Sequence, residues 1–325
     1  MAALAVAAAA LLAACGSSST GSGTATSQTA TTPTNSASVA AVAGNPPAAA
    51  SGPGLGKPPV TIGDKNFTEE YILGSLYAQA LAAKGYKVTV KGNIGSSEIT
   101  YKALKSGQID MYPEYTGTLL TAVAGITTPP KSAADAYTQA KAWAEQHGFT
   151  LLDKTPFYDS DALGTLKSYA SQHHLTTIAD LKPLGSSVKL GGAPEFATRE
   201  EGLVGLKKEY GINPTFSPLA IGLTYKALDT GQVQVSDVFT TDPQLTTNKY
   251  KVLTDPKFVF GFQNVAPIVS KKVVAAEGPE FAATLNKVSA LLTIPAIQKM
   301  NAAVALDQQP YPQVAREFLQ ANGLL

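Results

Sequence analysis

Residues 100–108 read TYKALKSGQ and residues 224–232 read TYKALDTGQ, so one segment occurs twice at an offset of 124. The likeness runs on more loosely, through IDMYPEYTGT after the first copy and VQVSDVFTTD after the second. It pairs Tyr115 with Phe239 and Thr118 with Asp242. Each copy predicts a short amphipathic helix carrying Ala-Leu, stopped by Gly107 or Gly231. A β-type run follows, through Ile109 and Met111 or through Val233, Val235 and Val238. The run ends in a polar loop with an aromatic ring and hydroxyls. Two such units point to two similarly built α/β lobes whose equivalent loops face each other across a cleft, a favoured place for a small molecule. A duplication kept only for packing is the alternative.

The rest of the chain alternates in the same way. Residues 60–63 predict a strand leading into Asp64-Lys65-Asn66-Phe67, and Thr68 is a candidate cap for a helix through 84 that Gly85 ends. Residues 87–90 predict the next strand, and Ser96 or Ser97 caps the first repeat helix. Residues 188–190 predict another, followed by a Gly-Gly turn and a helix beginning near Glu195. This βαβ alternation predicts parallel or mixed sheets covered by helices, hence an α/β fold. In such sheets ligands sit beyond the carboxyl ends of the strands, so the polar residues there are the ones to watch.

The first fourteen residues, MAALAVAAAALLAA, are apolar without exception. They fit the core of a signal peptide and run into Leu12-Ala13-Ala14-Cys15-Gly16, which matches a bacterial lipobox. Cys15 is the single cysteine, so it has no internal disulfide partner, and processing would leave it N-terminal and lipid-modified. No Lys or Arg precedes the apolar run, where a signal peptide usually carries positive charge. Residues 16–57, rich in Ser, Thr, Ala, Gly and Pro, predict a flexible tether, because they bury too little apolar surface to offset the entropy of ordering.

With 25 basic and 24 acidic residues the net charge is +1, and no long run of either sign offers a surface to nucleic acid. His147, His173 and His174 lack metal-ligand spacing. There is no Walker loop, no dinucleotide glycine fingerprint and no G-x-S-x-G elbow. These absences argue against an enzyme, and no catalytic residue, metal or cofactor is assigned.

IGDKNFTEEYILGSLYAQAL from Ile62, ALKSGQIDMYPEYTGT from Ala103 and APEFATREEG from Ala193 together resemble the substrate-binding proteins of ABC importers for quaternary amines such as glycine betaine, carnitine and choline. The resemblance covers nearly all of 60–325. It implies a type II periplasmic-binding-protein fold, with two α/β lobes joined by two crossovers near Ser160-Asp161 and Gln263-Asn264. The first lobe would be 58–160 plus 265–325 and the second 161–264, following a signal peptide at 1–15 and the tether at 16–57. The implied partners are a small solute, an ABC permease and through it an ATPase subunit. A ligand-sensing surface lipoprotein on the same fold is the alternative. The protein would act as a monomer, extracytoplasmic and held to the membrane by its lipid anchor.

In that family a trimethylammonium group sits in a cage of tyrosines, while Lys and Arg hold a ligand carboxylate. By motif, Lys65 and Arg199 match those cations, Tyr115 a cage tyrosine and Thr118 a hydroxyl beside it. Three cage positions differ: Phe239, Asp161 and Gln263 stand where relatives offer tyrosines. The expected cage is therefore two aromatics with a carboxylate and an amide added. Lys65 and Arg199 have a competing reading as structural ion pairs, with Glu195 and Glu201 near in sequence. Glu114 and Asp110 are read as capping or packing groups.

Overall fold

The computed structural model describes residues 45–128 and 130–325; Cys15, the leader and most of the expected tether lie outside the described residues. The described strands are β1 (Val60–Gly63), β2 (Val88–Lys91), β3 (Met111–Tyr115), β4 (Phe149–Leu151), β5 (Asp161–Leu166), β6 (Lys189–Gly192), β7 (Thr215–Pro218), β8 (Val235–Phe239), β9 (Tyr250–Leu253) and β10 (Val265–Ser270). They form two five-stranded sheets, ordered β2-β1-β3-β10-β4 and β7-β6-β8-β5-β9. The sheets share one plan. Three parallel strands end at β3 or β8, and the next strand, β10 or β5, arrives antiparallel.

The repeat explains this plan. β3 and β8 lie at the centre of their sheets and keep the offset of 124 residue for residue. The helices before them, α2 (Ser97–Lys105) and Thr224–Asp229, end at the same relative position. Gly107 and Gly231 follow with φ of 75° and 70°, the left-handed conformation that lets a glycine turn the chain off a helix.

Helix α1 (Thr68–Ala82) is buried along nearly its whole length between the first sheet and the C-terminal helices Pro279–Leu291, Ile294–Ala305 and Tyr311–Ala321. A helix apolar on most sides suits that position. Its one mid-helix glycine has a packing reason, because a Cβ at Gly74 would lie 1.8 Å from the Asp64 carboxylate. The expectation that Thr68 caps this helix is corrected. Phe67 occupies the cap position without a side-chain cap bond, and the helix ends at Ala82 rather than near 84. Ser96 likewise sits at the cap position of α2 without a side-chain cap bond.

Two segments pass between the sheets, 152–160 and 254–264, and they pair antiparallel at Tyr158 and Asn264. Asn264 fixes them together. Its amide donates to the carbonyls of Thr155 at 3.0 Å and Phe157 at 2.9 Å, while Asp159 N–H donates to Gln263 O at 3.0 Å.

The tether expected over 16–57 is also corrected at its end, since residues 45–57 lie on the first sheet and α1. Ala49 N–H donates to Ala82 O and Gly54 N–H to Lys84 O, and the Asn45 side-chain Oδ1 accepts from Val90 N–H. Small side chains permit this docking: a Cβ at Gly54 would stand 2.3 Å from the Tyr86 nitrogen.

Candidate ligand cleft

The carboxyl ends of β1, β3, β6 and β8 and the start of β5 border a small cavity between the two sheets. Lys65 and Phe67 come from the turn after β1, Tyr115 from the end of β3, and Asp161 from the first position of β5. Phe239 ends β8, and Arg199 follows the short turn Pro194–Ala197 after β6. Thr118 lines the cavity as well. Six of the seven ligand-site residues expected from sequence therefore meet around one space.

The aromatic wall is richer than expected. Phe67 stacks on Phe239 with ring centres 5.8 Å apart and planes 10° from parallel, and it stands 6.1 Å from the Tyr115 ring. Phe196 adds a further face. The Tyr115 hydroxyl donates to Glu69 Oε1 at 2.8 Å, which fixes the ring.

Both expected cations are engaged inside the protein. Lys65 is buried, and its ammonium donates to Glu114 Oε1 at 2.7 Å and Pro113 O at 3.1 Å, with Glu70 Oε1 at 3.5 Å. Burial pushes the Glu70 carboxyl up to about 8, against the opposing pull of Lys65. Arg199 donates from Nε and one terminal nitrogen to the two oxygens of Glu98, at 3.0 and 2.9 Å, and its other terminal nitrogen lies 3.8 Å from Glu201 Oε1. Of the partners suggested by sequence proximity, Glu201 pairs with Arg199, while Lys65 takes Glu70 and Glu114 instead. Glu114 is a buried hub, also accepting from Ser97 Oγ, Tyr112 Oη and Tyr115 N–H.

Gln263 is a correction. It does not line this cavity. Its Oε1 accepts from the Thr118 N–H at 3.0 Å and the Thr118 hydroxyl at 3.3 Å, and its Nε2 donates to Glu201 Oε2 at 2.9 Å and Phe260 O at 3.2 Å. An amide so occupied holds the crossover against Thr118. Gly117 makes room for it, since a Cβ there would approach the amide to 2.6 Å.

The second sheet presents acid. Asp161 stands opposite Phe239 in the β5–β8 ladder, and Asp237, two residues before Phe239, shares that face. The two carboxyls are neighbours, and each influences the other's ionisation. Burial first, then the charge of Glu201, pushes Asp161 up to about 7. Burial and the neighbouring Asp161 push Asp237 up as well, and its Oδ1 has no partner. Asp159, raised by burial and by Glu69, also faces the cavity.

Sequence reasoning did not assign Phe67, Asp159 or Asp237 to the site. Period-two alternation along SDVF, with Phe239 already chosen, is the signal that would have found Asp237.

Two mixed sheets joined by paired crossovers, with a small aromatic and acidic cavity between them, define a solute-binding protein of the type II periplasmic class. Residues 58–321 match the family model for the substrate binding domain of ABC-type glycine betaine transport systems, and the chain belongs to that family. A glycine-betaine-binding protein of Pseudomonas aeruginosa is 35% identical over 276 residues, covering 81% of this chain and 88% of that one. The glycine betaine-binding protein YehZ of Escherichia coli is 28% identical over 278 residues, covering 82% and 91%. A solved glycine betaine/carnitine/choline ABC transporter structure superposes with a TM-score of 0.65 at 27% identity, covering 82% of this chain and 99% of its own. The expected fold class therefore holds, and the family is a solute-binding component of ABC transporters, not an enzyme.

Proposed function

We propose that this chain is the lipid-anchored receptor of an ABC importer, closing two lobes (58–160 plus 265–325, and 161–264) over a small amine and delivering it to a permease. Cys15 carries the anchor, and the receptor works outside the cytoplasm as a monomer. The observation that supports an amine ligand is the facing of Phe67, Tyr115 and Phe239 rings by the carboxyls of Asp159, Asp161 and Asp237 in one cavity. Ring faces attract a cation by roughly 0.5–2 kcal/mol each when desolvated. Carboxylates add charge pairing, strongest toward a cation that donates hydrogen bonds.

A thermal-shift screen of the chain against choline, glycine betaine, carnitine, ectoine and other polar amines tests this. A ligand at 100 times its dissociation constant adds about 2.7 kcal/mol of stability. No shift with any cationic amine would count against the reading. The Cys15→Ala chain should leave the membrane fraction with its ligand binding intact; if it still sediments with membranes after a salt wash, the anchor is elsewhere.

A further inference from the structure

The Arg199 guanidinium reaches from the second sheet's loops to α2, beside the first sheet, and grips Glu98 with a two-point fork. That fork has the geometry with which arginine takes a carboxylate ligand. The terminal nitrogen left over faces Glu201. Arg199 is largely buried and Glu98 about two-thirds so; Arg199 lines the cavity, as do Ser96 and Ser97 just before Glu98. Lys65, the other cation on the cavity wall, is engaged by Glu70 and Glu114.

We propose that Glu98 is a specificity-determining residue, a built-in carboxylate that occupies the Arg199 fork and thereby disfavours zwitterionic ligands relative to cations that lack a carboxylate. This rests on reading the cavity as a receptor for small amines. A betaine carboxylate must displace Glu98 from Arg199, leaving that carboxylate to find other partners in a partly buried place. The ligand carboxylate then has no other free cation among the described lining residues. A cation without a carboxylate meets neither obstacle. It binds the rings and carboxyls while the Arg199–Glu98 pair stays closed across the cleft.

Calorimetric titration of the full chain with choline and with glycine betaine, for wild type and Glu98→Gln, tests the proposal. The wild type should prefer choline. Glu98→Gln should bind glycine betaine more tightly than wild type does and choline less tightly, because the cross-cleft bridge is lost, so that the affinity ratio moves roughly tenfold toward glycine betaine. Glu98→Ala, which removes the competitor without leaving an amide, should shift the preference the same way. A wild type that binds glycine betaine as tightly as choline overturns the proposal. So does an equal change for both ligands in the variants, which would mark Glu98 as a closing contact only. Choline binding with no gain for glycine betaine in either variant overturns Glu98's role and leaves the amine receptor standing. Failure of wild type and variants to bind either ligand overturns both.

Discussion

The Lys65 ammonium lies 4.5 Å from the centre of the Tyr115 ring and 2.7 Å from Glu114 Oε1. One ring of the expected cage is thus already beside a cation of the protein's own. The same ammonium is the counter-charge for a cluster of buried acids, Glu70 and Glu114 in contact and Asp64 nearby. Removing one partner of a buried ion pair leaves the other charge unbalanced. Lys65→Met should therefore lower unfolding stability by about 3–5 kcal/mol, read from urea melts. Wild-type stability in that variant would show that the acids are accommodated without Lys65.

The acids also set a pH dependence. Burial lifts Asp242 to about 6, Asp161 to about 7 and Glu70 to about 8, and raises Asp64, Glu69, Asp159 and Asp237 above their ordinary range. In the unfolded chain these groups titrate near 4, so between about pH 4 and pH 8 the folded state holds more protons. Stability from this source is complete below the unfolded values and is lost as pH rises through the folded ones. Glu98 runs the other way. Its burial opposes ionisation, but hydrogen bonds and charge from Arg199 outweigh that and hold it down to about 2, so its share is lost only as acid approaches that value. The ligand-free protein should therefore melt at a higher temperature near pH 5 than near pH 8. A melting temperature that climbs steadily from pH 5 to pH 8 would contradict the burial of these carboxyls.

Glu69 ties the two sheets together across the cleft. Its carboxylate accepts from Tyr115 Oη at 2.8 Å, from Thr241 Oγ1 at 2.7 Å and from Asn301 Nδ2 at 2.9 Å. Thr241 belongs to the loop after β8, whereas the other three residues belong to elements around the first sheet. Thr241→Val keeps the side-chain shape and removes the donor, which should weaken the closed arrangement by roughly 1–3 kcal/mol. Solution scattering from ligand-free Thr241→Val should give a larger radius of gyration than wild type, with saturating ligand restoring the smaller value. Identical ligand-free profiles would mean that this knot does not hold the cleft shut.

The repeat carried much of the architecture into plain view. A glycine that stops a helix and an alternating run after it are local signals, and both copies fold as those signals dictate. The chemistry of the site was legible only by residue type. Lys65 and Arg199 sit in loops lining the cavity and Gln263 in a crossover, but what they bond to is decided by residues far off in sequence, such as Glu114, Glu98 and Thr118. Those pairings arise only when distant strands, crossovers and helices come together, and no local pattern encodes them. The docking of 45–57 was hidden for a related reason. Glycine and alanine read as disorder by composition, yet the same small side chains permit backbone hydrogen bonds to Ala82 and Lys84.

Asp161 offers the sharpest test of what the cavity takes. It faces the cavity opposite Phe239 and is raised to about 7 by burial and by Glu201. A neutral carboxyl attracts a cation little, and an ionised one attracts it strongly. Choline affinity should therefore rise as pH goes from 6 to 8, the opposite direction to the stability of the ligand-free protein. Asp161→Asn should cost roughly tenfold in choline affinity at pH 8 and flatten that rise. Asp161→Tyr replaces the carboxylate with a ring face opposite Phe239, contributing roughly 0.5–2 kcal/mol toward a trimethylammonium group. It also removes an acid that repels a ligand carboxylate. Glycine betaine, weak in the wild type, should gain affinity in Asp161→Tyr, while choline changes little because it exchanges charge pairing for a ring. Calorimetry on wild type and both variants reads all of this. Tight glycine betaine binding by the wild type, or no gain in Asp161→Tyr, would place the ligand's cation away from Asp161.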